Sequence, residues 1–238
     1  MQDETINFYD KESGIYTVKR YPNQIESYTQ YIFRRRLNIL LSFLKKSEQV
    51  IPINSSVFEI GCADGVIFKF LEESFPYRFS KLVGVDISPG MVAEATKQNT
   101  NKNASFILRD TAPVERYDMV LEVGVHIYDL EAEIAYIAQF LKPHGYFVYS
   151  AAGGSSLYKK IKMRDKEYSK DYLPYSSAEE VIKKYFSIED SVVYGLFVPK
   201  LWQIPALGRF FQPIFDWIFQ FIAPELFHEK LYLLKKLD

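Results

Sequence analysis

The chain is nearly free of cysteine. Cys62 is the only one in 238 residues, so no internal disulfide can form, and a reducing, cytoplasmic compartment is the expectation. Histidine is almost as scarce, at three residues, and no His or Cys spacing reads as a zinc site, so no metal is expected. Net charge is missing as well. The 29 Lys and Arg against 30 Asp and Glu leave −1, which gives no electrostatic footprint for a nucleic-acid partner. The one basic run, Arg34-Arg35-Arg36, points three ways on a helix and reads as a solvated face. The first residues, Met1 to Glu4, lack the basic and apolar regions of a signal peptide. There is no internal repeat, no low-complexity linker and no apolar run of the ~20 residues that span a bilayer. What is present in quantity is apolar residue, 48% of the chain, enough for one sizeable core.

The most informative stretch is Glu59-Ile60-Gly61-Cys62-Ala63-Asp64-Gly65. It follows the apolar pair Val57-Phe58 and precedes a helix-like run from Val66 to Glu73, so it reads as strand, glycine turn, helix. Gly61 and Gly65 allow backbone shapes and ligand approach that a Cβ would obstruct, and the helix amides after them favour a polar or anionic group. Three further elements follow in order. Lys81 to Val85 is a short strand ending at Asp86, with Ser88 as N-cap and Pro89 as first helical residue of the next helix. An acid at the end of a second strand can accept both hydroxyls of a ribose. Phe106-Ile107-Leu108-Arg109-Asp110-Thr111 is a third strand ending in an acid. Tyr117 to Asp129 is a fourth strand running into a loop that holds His126. A fifth strand, 145–150, follows a helix that stops at Leu141-Lys142-Pro143-His144-Gly145.

Glu59-x-Gly61-x-x-x-Gly65, Val85-Asp86-Ile87-Ser88, Asp110-Thr111, Tyr117-Asp118-Met119-Val120 and Leu141-Lys142-Pro143-x-Gly145 resemble, in order and spacing, the successive motifs of class I S-adenosylmethionine-dependent methyltransferases. The resemblance covers residues 50–190, with one departure: the middle glycine of the first motif is Ala63. It implies an α/β, Rossmann-like seven-stranded sheet with helices on both faces and an antiparallel last strand. A nicotinamide-binding domain would want G-x-G-x-x-G, which Gly61-x-x-x-Gly65 does not give. An acid beside the first glycine also sits badly against a pyrophosphate. It suits the sulfonium and ammonium of S-adenosylmethionine.

The coarse reading is one domain in four stretches: an N-terminal cap, 1–48; a cofactor-binding core, 49–194; an apolar helical insertion, 195–228; and a final strand, 229–238. In the cap, apolar residues recur at helical spacing over 24–45. The core reads as strands at 56–60, 81–85, 104–108, 117–122 and 145–150, a sixth at 187–194, and helices at 66–74, 89–98 and 129–141. Ser177-x-x-Glu180 is a capping-box pattern opening a helix to Tyr185. The insertion is the anomaly. Over 210–223 only Gln212, Pro213, Asp216 and Gln220 interrupt aromatic and aliphatic residues, and the Gln, Asp and Gln fall at i, i+4, i+8 as a thin polar stripe. It reads as a buried or dimer-forming helix, a wall over a lipophilic substrate, or a membrane-surface element. A homodimer or peripheral membrane contact through 201–227 is therefore expected.

The resemblance implies S-adenosylmethionine as cofactor, S-adenosylhomocysteine as product, and a cofactor site built from Glu59, Gly61, Cys62, Ala63, Gly65, Asp86, Ile87, Met91, Asp110, Thr111 and Glu122. His126, past the fourth strand at the carboxyl edge of the sheet, is the candidate general base for a hydroxyl acceptor. Packing beside the cofactor is its bland alternative. Tyr16, Arg20 and Tyr21 are the candidates for the substrate side. The expected function is O-methylation of a small, lipophilic or lipid-linked acceptor. The competing reading is a non-catalytic, cofactor-binding scaffold that works through its apolar insertion.

Overall fold

Alternating side chains give the strands two apolar faces, and each face is covered by helices. The computed structural model describes residues 2–46, 52–76, 78–112, 114–163 and 171–237. Seven strands, β1 (Ser55–Ile60), β2 (Phe79–Asp86), β3 (Ala104–Leu108), β4 (Tyr117–Glu122), β5 (Leu141–Ala152), β6 (Phe186–Leu196) and β7 (Phe227–Lys236), form one sheet in the order β3-β2-β1-β4-β5-β7-β6. Strands β1 to β5 pair in parallel, while β7 runs antiparallel to both β5 and β6. The carboxyl end of β6 therefore lies on the same sheet edge as those of β1 and β4. Ligands bind along that edge in open α/β sheets.

One face carries Val57, Leu82, Met119, Leu121 and Val148, packed with α3 (Tyr28–Lys46) and α4 (Val66–Ser74). The other carries Phe58, Val83, Val120 and Phe147, packed with α6 (Leu130–Gln139) and α8 (Tyr175–Ile182). Leu40 and Phe43 of α3 are fully enclosed, and burying each such side chain is worth ~1.5–3 kcal/mol. The cap is helical from its start: α1 (Gln2–Glu12), a 3₁₀ turn (Ser13–Ile15) and α2 (Tyr16–Arg20) precede α3. Among the described residues, no helix is long and apolar enough to cross a membrane.

Local chemistry explains most element ends. The Ser88 hydroxyl accepts from Met91 N–H and Pro89 stands first in α5 (Pro89–Gln98), as the sequence predicts. Asp129 caps α6 through Ala132 N–H, so that helix starts one residue later than expected and stops at Gln139. Strand β5 then begins at Leu141 rather than 145, with His144 at φ 59° where the strand is irregular. The Ser177–Glu180 capping box is overturned. Helix α8 starts at Tyr175 because the Glu225 carboxylate accepts from Tyr175 N–H at 2.9 Å and Ser176 N–H at 3.0 Å. A cap supplied from the far side of the insertion replaces the local one.

The basic run also needs correction at one residue. Arg36 is buried and grips Glu229 with both Nε (3.0 Å) and Nη2, while Tyr194 Oη donates to the same carboxylate. Arg34 donates to the Pro22 carbonyl at 2.9 Å, and only Arg35 is exposed. In the insertion the helix is α9 (Pro205–Phe219), turned opposite to the usual arrangement. Gln212 and Asp216 are 0% and 4% exposed, whereas Phe210, Trp217 and Phe221 are 65%, 68% and 79% exposed. Asp216 accepts from Tyr31 Oη (2.9 Å), Gly195 N–H (2.8 Å), Leu196 N–H (2.9 Å) and Gln212 Nε2 (3.0 Å). The polar stripe thus pins the helix to β6 and α3, and the apolar residues face outward.

Candidate functional site

The glycine turn leaves β1 through three residues with positive φ: Gly61 (73°), Ala63 (48°) and Gly65 (81°). A Cβ on Gly61 would meet Val125 Cγ2 at 2.4 Å, so only glycine fits there. Ala63 holds a left-handed conformation that non-glycine residues adopt at a cost of ~1–2 kcal/mol. It is held by its N–H, which donates to Asp86 Oδ2 at 2.9 Å. The other oxygen of Asp86 accepts from Ser88 N–H, also at 2.9 Å. Asp86 therefore clamps the glycine turn to the start of α5, and each oxygen keeps accepting capacity toward the cavity.

Three acids crowd this turn. Glu59, Asp64 and Asp86 are all buried, and burial pushes each carboxyl above its usual range. For Glu59 the rise is large, with Asp86 and Asp64 adding repulsion. Glu59 Oε2 and Asp64 Oδ1 have no hydrogen-bond partner among the described residues. Such a cluster calls for a cation. Deeper along the strand ends, burial and then the neighbouring Glu133 carboxylate push Glu122 well above the usual range, while Arg109 holds Glu133 at 2.7 Å.

A cavity of about 650 Å³ opens over the turn. That volume suits a drug-sized ligand. Gly61, Ala63, Asp86 and Ile87 form one side, the 123–129 loop with His126 another, and Thr5, Tyr9 and Tyr16 of the cap close it. The cap is fastened down. Asp10 Oδ1 accepts from Ser88 Oγ and from Gly90 N–H (2.8 Å), and Asp64 Oδ2 accepts from Thr17 N–H (3.0 Å) and Thr17 Oγ1 (2.6 Å). His126 Nε2 lies 3.2 Å from Asp171 Oδ2, and its ring meets Tyr128 edge-on at 4.5 Å and Tyr172 at 5.4 Å.

Of the residues expected from sequence, Tyr16, Gly61, Ala63, Asp86, Ile87 and His126 meet on this cavity. Glu59, Cys62, Gly65, Met91 and Glu122 are buried behind its wall. Cys62 packs where a side chain on Gly84 would strike it, which accounts for a small residue there. Asp110 and Thr111 are exposed on a 3₁₀ turn (Arg109–Thr111) at the end of β3, and from this turn it is Arg109 that lines the cavity. Arg20 and Tyr21 also lie off the wall. Arg20 pairs with Glu12 and stacks 4.0 Å over the Tyr16 ring, and Tyr21 is buried against Phe33 and Phe70. No residue of 195–228 is among the described residues lining the cavity, so the insertion is no wall of it. Sequence reasoning missed Thr5, Tyr9, Asp10, Thr17, Arg109, Glu133 and Asp171. Nothing in their local pattern marks them, since each acts across a long sequence separation.

Comparison with known proteins agrees with this layout. Solved structures with the same fold include magnesium protoporphyrin IX methyltransferase from Synechocystis with bound S-adenosylhomocysteine (TM-score 0.65, 15% identity, 100% of both chains). Geranyl diphosphate C-methyltransferase from Streptomyces coelicolor has TM-score 0.64 at 14% identity over 99% of this chain and 98% of that one. The N-methyltransferase NodS from Bradyrhizobium japonicum has TM-score 0.62 at 16% identity over 98% and 99%. At these identities the likeness is one of fold. Among curated proteins, the malonyl-[acyl-carrier protein] O-methyltransferase of Priestia megaterium is 26% identical over 143 residues, 58% of this chain and 52% of the relative. That of Acetivibrio thermocellus is 26% identical over 102 residues, 41% of this chain and 35% of the relative. The chain thus spans about a third to a half of the length of these relatives. The family model described as a methyltransferase domain matches residues 26–190, from just before α3 into β6. That span is more than half of the sequence and holds the glycine turn, the Asp86 clamp and the His126 loop, and by it the chain belongs to the methyltransferase-domain family.

Proposed function

We propose that this S-adenosylmethionine-dependent methyltransferase acts in the cytoplasm on a small, lipophilic or lipid-linked acceptor, at oxygen. The observation that carries the reading is the uncompensated acid cluster of Glu59, Asp64 and Asp86 beside a cavity that also holds His126. The cofactor supplies an electrophilic methyl group on a sulfonium. Glu59 and Asp64 would hold its ammonium and sulfonium charges near the glycine turn, where Gly61 and Ala63 permit close approach. Asp86 would accept ribose hydroxyls with its remaining lone pairs, and Ile87, with the buried Met91 behind it, would offer an apolar surface for the base.

On the acceptor side His126 takes the hydroxyl proton. Its Nε2 lies 3.2 Å from the Asp171 carboxylate, which would stabilise the imidazolium that proton uptake creates. Tyr16, backed by the Arg20 guanidinium, bounds the acceptor end. The O-methyltransferase relatives favour oxygen, while fold neighbours named for carbon and nitrogen acceptors leave the fold itself neutral. The outward apolar side of α9 supports a lipophilic acceptor and the contact expected through 201–227.

Calorimetric titration with S-adenosylhomocysteine tests the cofactor half. Asp86→Ala should weaken binding by ~1–3 kcal/mol, about 5- to 150-fold. Equal affinity would remove Asp86 from the site. Single-turnover assays with candidate acceptors test the other half. His126→Ala should slow methylation of a hydroxyl ~10²–10⁴-fold with cofactor binding kept. A rate that does not change takes the base role away and leaves His126 as a packing residue.

A further inference from the structure

Helix α9 presents an outward face with no charged residue on it. At 3.6 residues per turn, Phe210, Phe211, Ile214, Trp217 and Ile218 fall within an arc of about 120°, and Phe221 follows two residues past the end of the helix. All six are exposed. Within 201–224 the charged residues are Arg209 and Asp216 alone, and both turn inward: Arg209 Nη1 donates to the Ile25 carbonyl at 2.8 Å, and Asp216 is enclosed. Gln212 is spent inside on the Leu196 carbonyl at 2.7 Å. The only side-chain hydrogen-bonding group on the arc is the Trp217 indole. A protein interface of comparable size carries about one hydrogen bond per 100–200 Å², and this arc cannot supply them. A bilayer interface asks for none, and it favours tryptophan.

The rim is basic. Lys200 stands exposed at the entry to the segment, and Lys160 and Lys162 end α7 (Leu157–Lys162), with Lys162 Nζ 5.9 Å from the Phe197 ring. Arg35 is exposed on α3, one turn beyond the Tyr31 that binds Asp216. Glu26, beside the Ile25 carbonyl that Arg209 holds, is outnumbered there.

We infer that this face lies flat on a membrane surface containing anionic lipid, its aromatic arc entering the interface and the Lys and Arg rim meeting headgroup phosphates. At 15 residues the helix rests on the bilayer rather than crossing it. The sheet edge from which β6 enters the insertion is the edge that holds the cavity, so a docked molecule turns that edge toward the membrane. The inference names the partner for the outward contact proposed above, and it rests on the helix, not on the acceptor.

The test is co-sedimentation of the full chain with vesicles of phosphatidylcholine alone and of phosphatidylcholine with phosphatidylglycerol. The wild type should bind the anionic vesicles more strongly, more weakly as salt rises, with a blue shift of tryptophan emission. The exposed pair Trp217→Ser/Phe221→Ser should lose at least about tenfold in partitioning while keeping its melting temperature and S-adenosylhomocysteine affinity. Lys160→Glu/Lys162→Glu/Lys200→Glu should lose the preference for anionic vesicles. Absence of vesicle binding from a chain that also stays monomeric, or equal vesicle binding by wild type and the Ser pair, overturns both the membrane assignment and the outward contact. Concentration-dependent self-association that the Ser pair abolishes, without vesicle binding, keeps the outward contact and assigns it to a second copy, overturning the bilayer alone.

Discussion

Ala63 sits where a glycine would cost least. Its φ of 48° is left-handed, and its methyl borders the cavity. Removing the Cβ relieves strain of ~1–2 kcal/mol but adds unfolded-chain entropy worth ~0.4–1 kcal/mol. Ala63→Gly should therefore be neutral to stabilising, by up to about 1.5 kcal/mol. Ala95, fully buried in α5 with ordinary helical geometry, should lose at least about 1 kcal/mol on the same change. Denaturant titration of the two variants makes the comparison. If Ala63→Gly loses as much as Ala95→Gly, the turn is not strained.

At the scale of the element, α9 depends on one carboxylate. Asp216 satisfies two backbone amides of β6, the Tyr31 hydroxyl and the Gln212 amide together. Asp216→Ala strands these donors, each costing ~1–3 kcal/mol when left buried and unpaired. The helix should detach before the sheet does. Hydrogen exchange should therefore show α9 amides losing protection while β1 and β4 keep theirs. Uniform loss across both would make α9 part of a single cooperative core. This element also shows what a sequence withholds. The i, i+4, i+8 spacing of Gln212, Asp216 and Gln220 made the helix and its stripe legible. Which side faces inward was not, because that depends on Gly195, Leu196 and Tyr31 waiting to be paired. Helix α8 is the same case: Ser177 and Glu180 carry a cap signal, yet Glu225, 49 residues beyond Ser176, prevails.

For the whole molecule, acid stability has an identifiable source. His228, at the start of β7, stacks on Tyr158 at 4.2 Å and on Tyr28 at 5.8 Å. Burial first, with Arg36 assisting against Glu229, pushes its pKa down to about 4. The unfolded chain takes up that proton near the ordinary value of about 6.5, so between those values the unfolded state holds more protons. The contribution is whole above pH 6.5 and is lost as pH falls toward 4. It amounts to about 2 kcal/mol or less between pH 7.5 and 5, since the ring is only half-buried. Raised carboxyls such as Glu59 act with the opposite sign, so the difference between wild type and His228→Phe isolates the histidine. The variant should lose less stability over that interval. Parallel losses would take His228 out of the account.

At this scale the sequence was most informative. The wall residues Gly61, Ala63, Asp86, Ile87 and His126 sit in motifs whose parts lie close along the chain, and the family resemblance those motifs carry implied the seven-stranded sheet and the antiparallel β7. Asp171 beside His126 and Glu229 beside Arg36 were hidden, because only the folded sheet brings residues 45 and 193 positions apart into one bond.

The fastening of residues 2–20 has one more consequence. Asp10 and Thr17 hold on to Ser88, Gly90 and Asp64, chain neighbours of the wall residues Ile87 and Ala63, while Thr5, Tyr9 and Tyr16 line the cavity itself. Occupant and strap are therefore thermodynamically linked. By whatever factor the closed strap tightens the grip on an occupant, a bound occupant shifts the strap's closing equilibrium by the same factor. The stretch that reads as a cap is, in energetic terms, coupled to whatever fills the cavity beneath it.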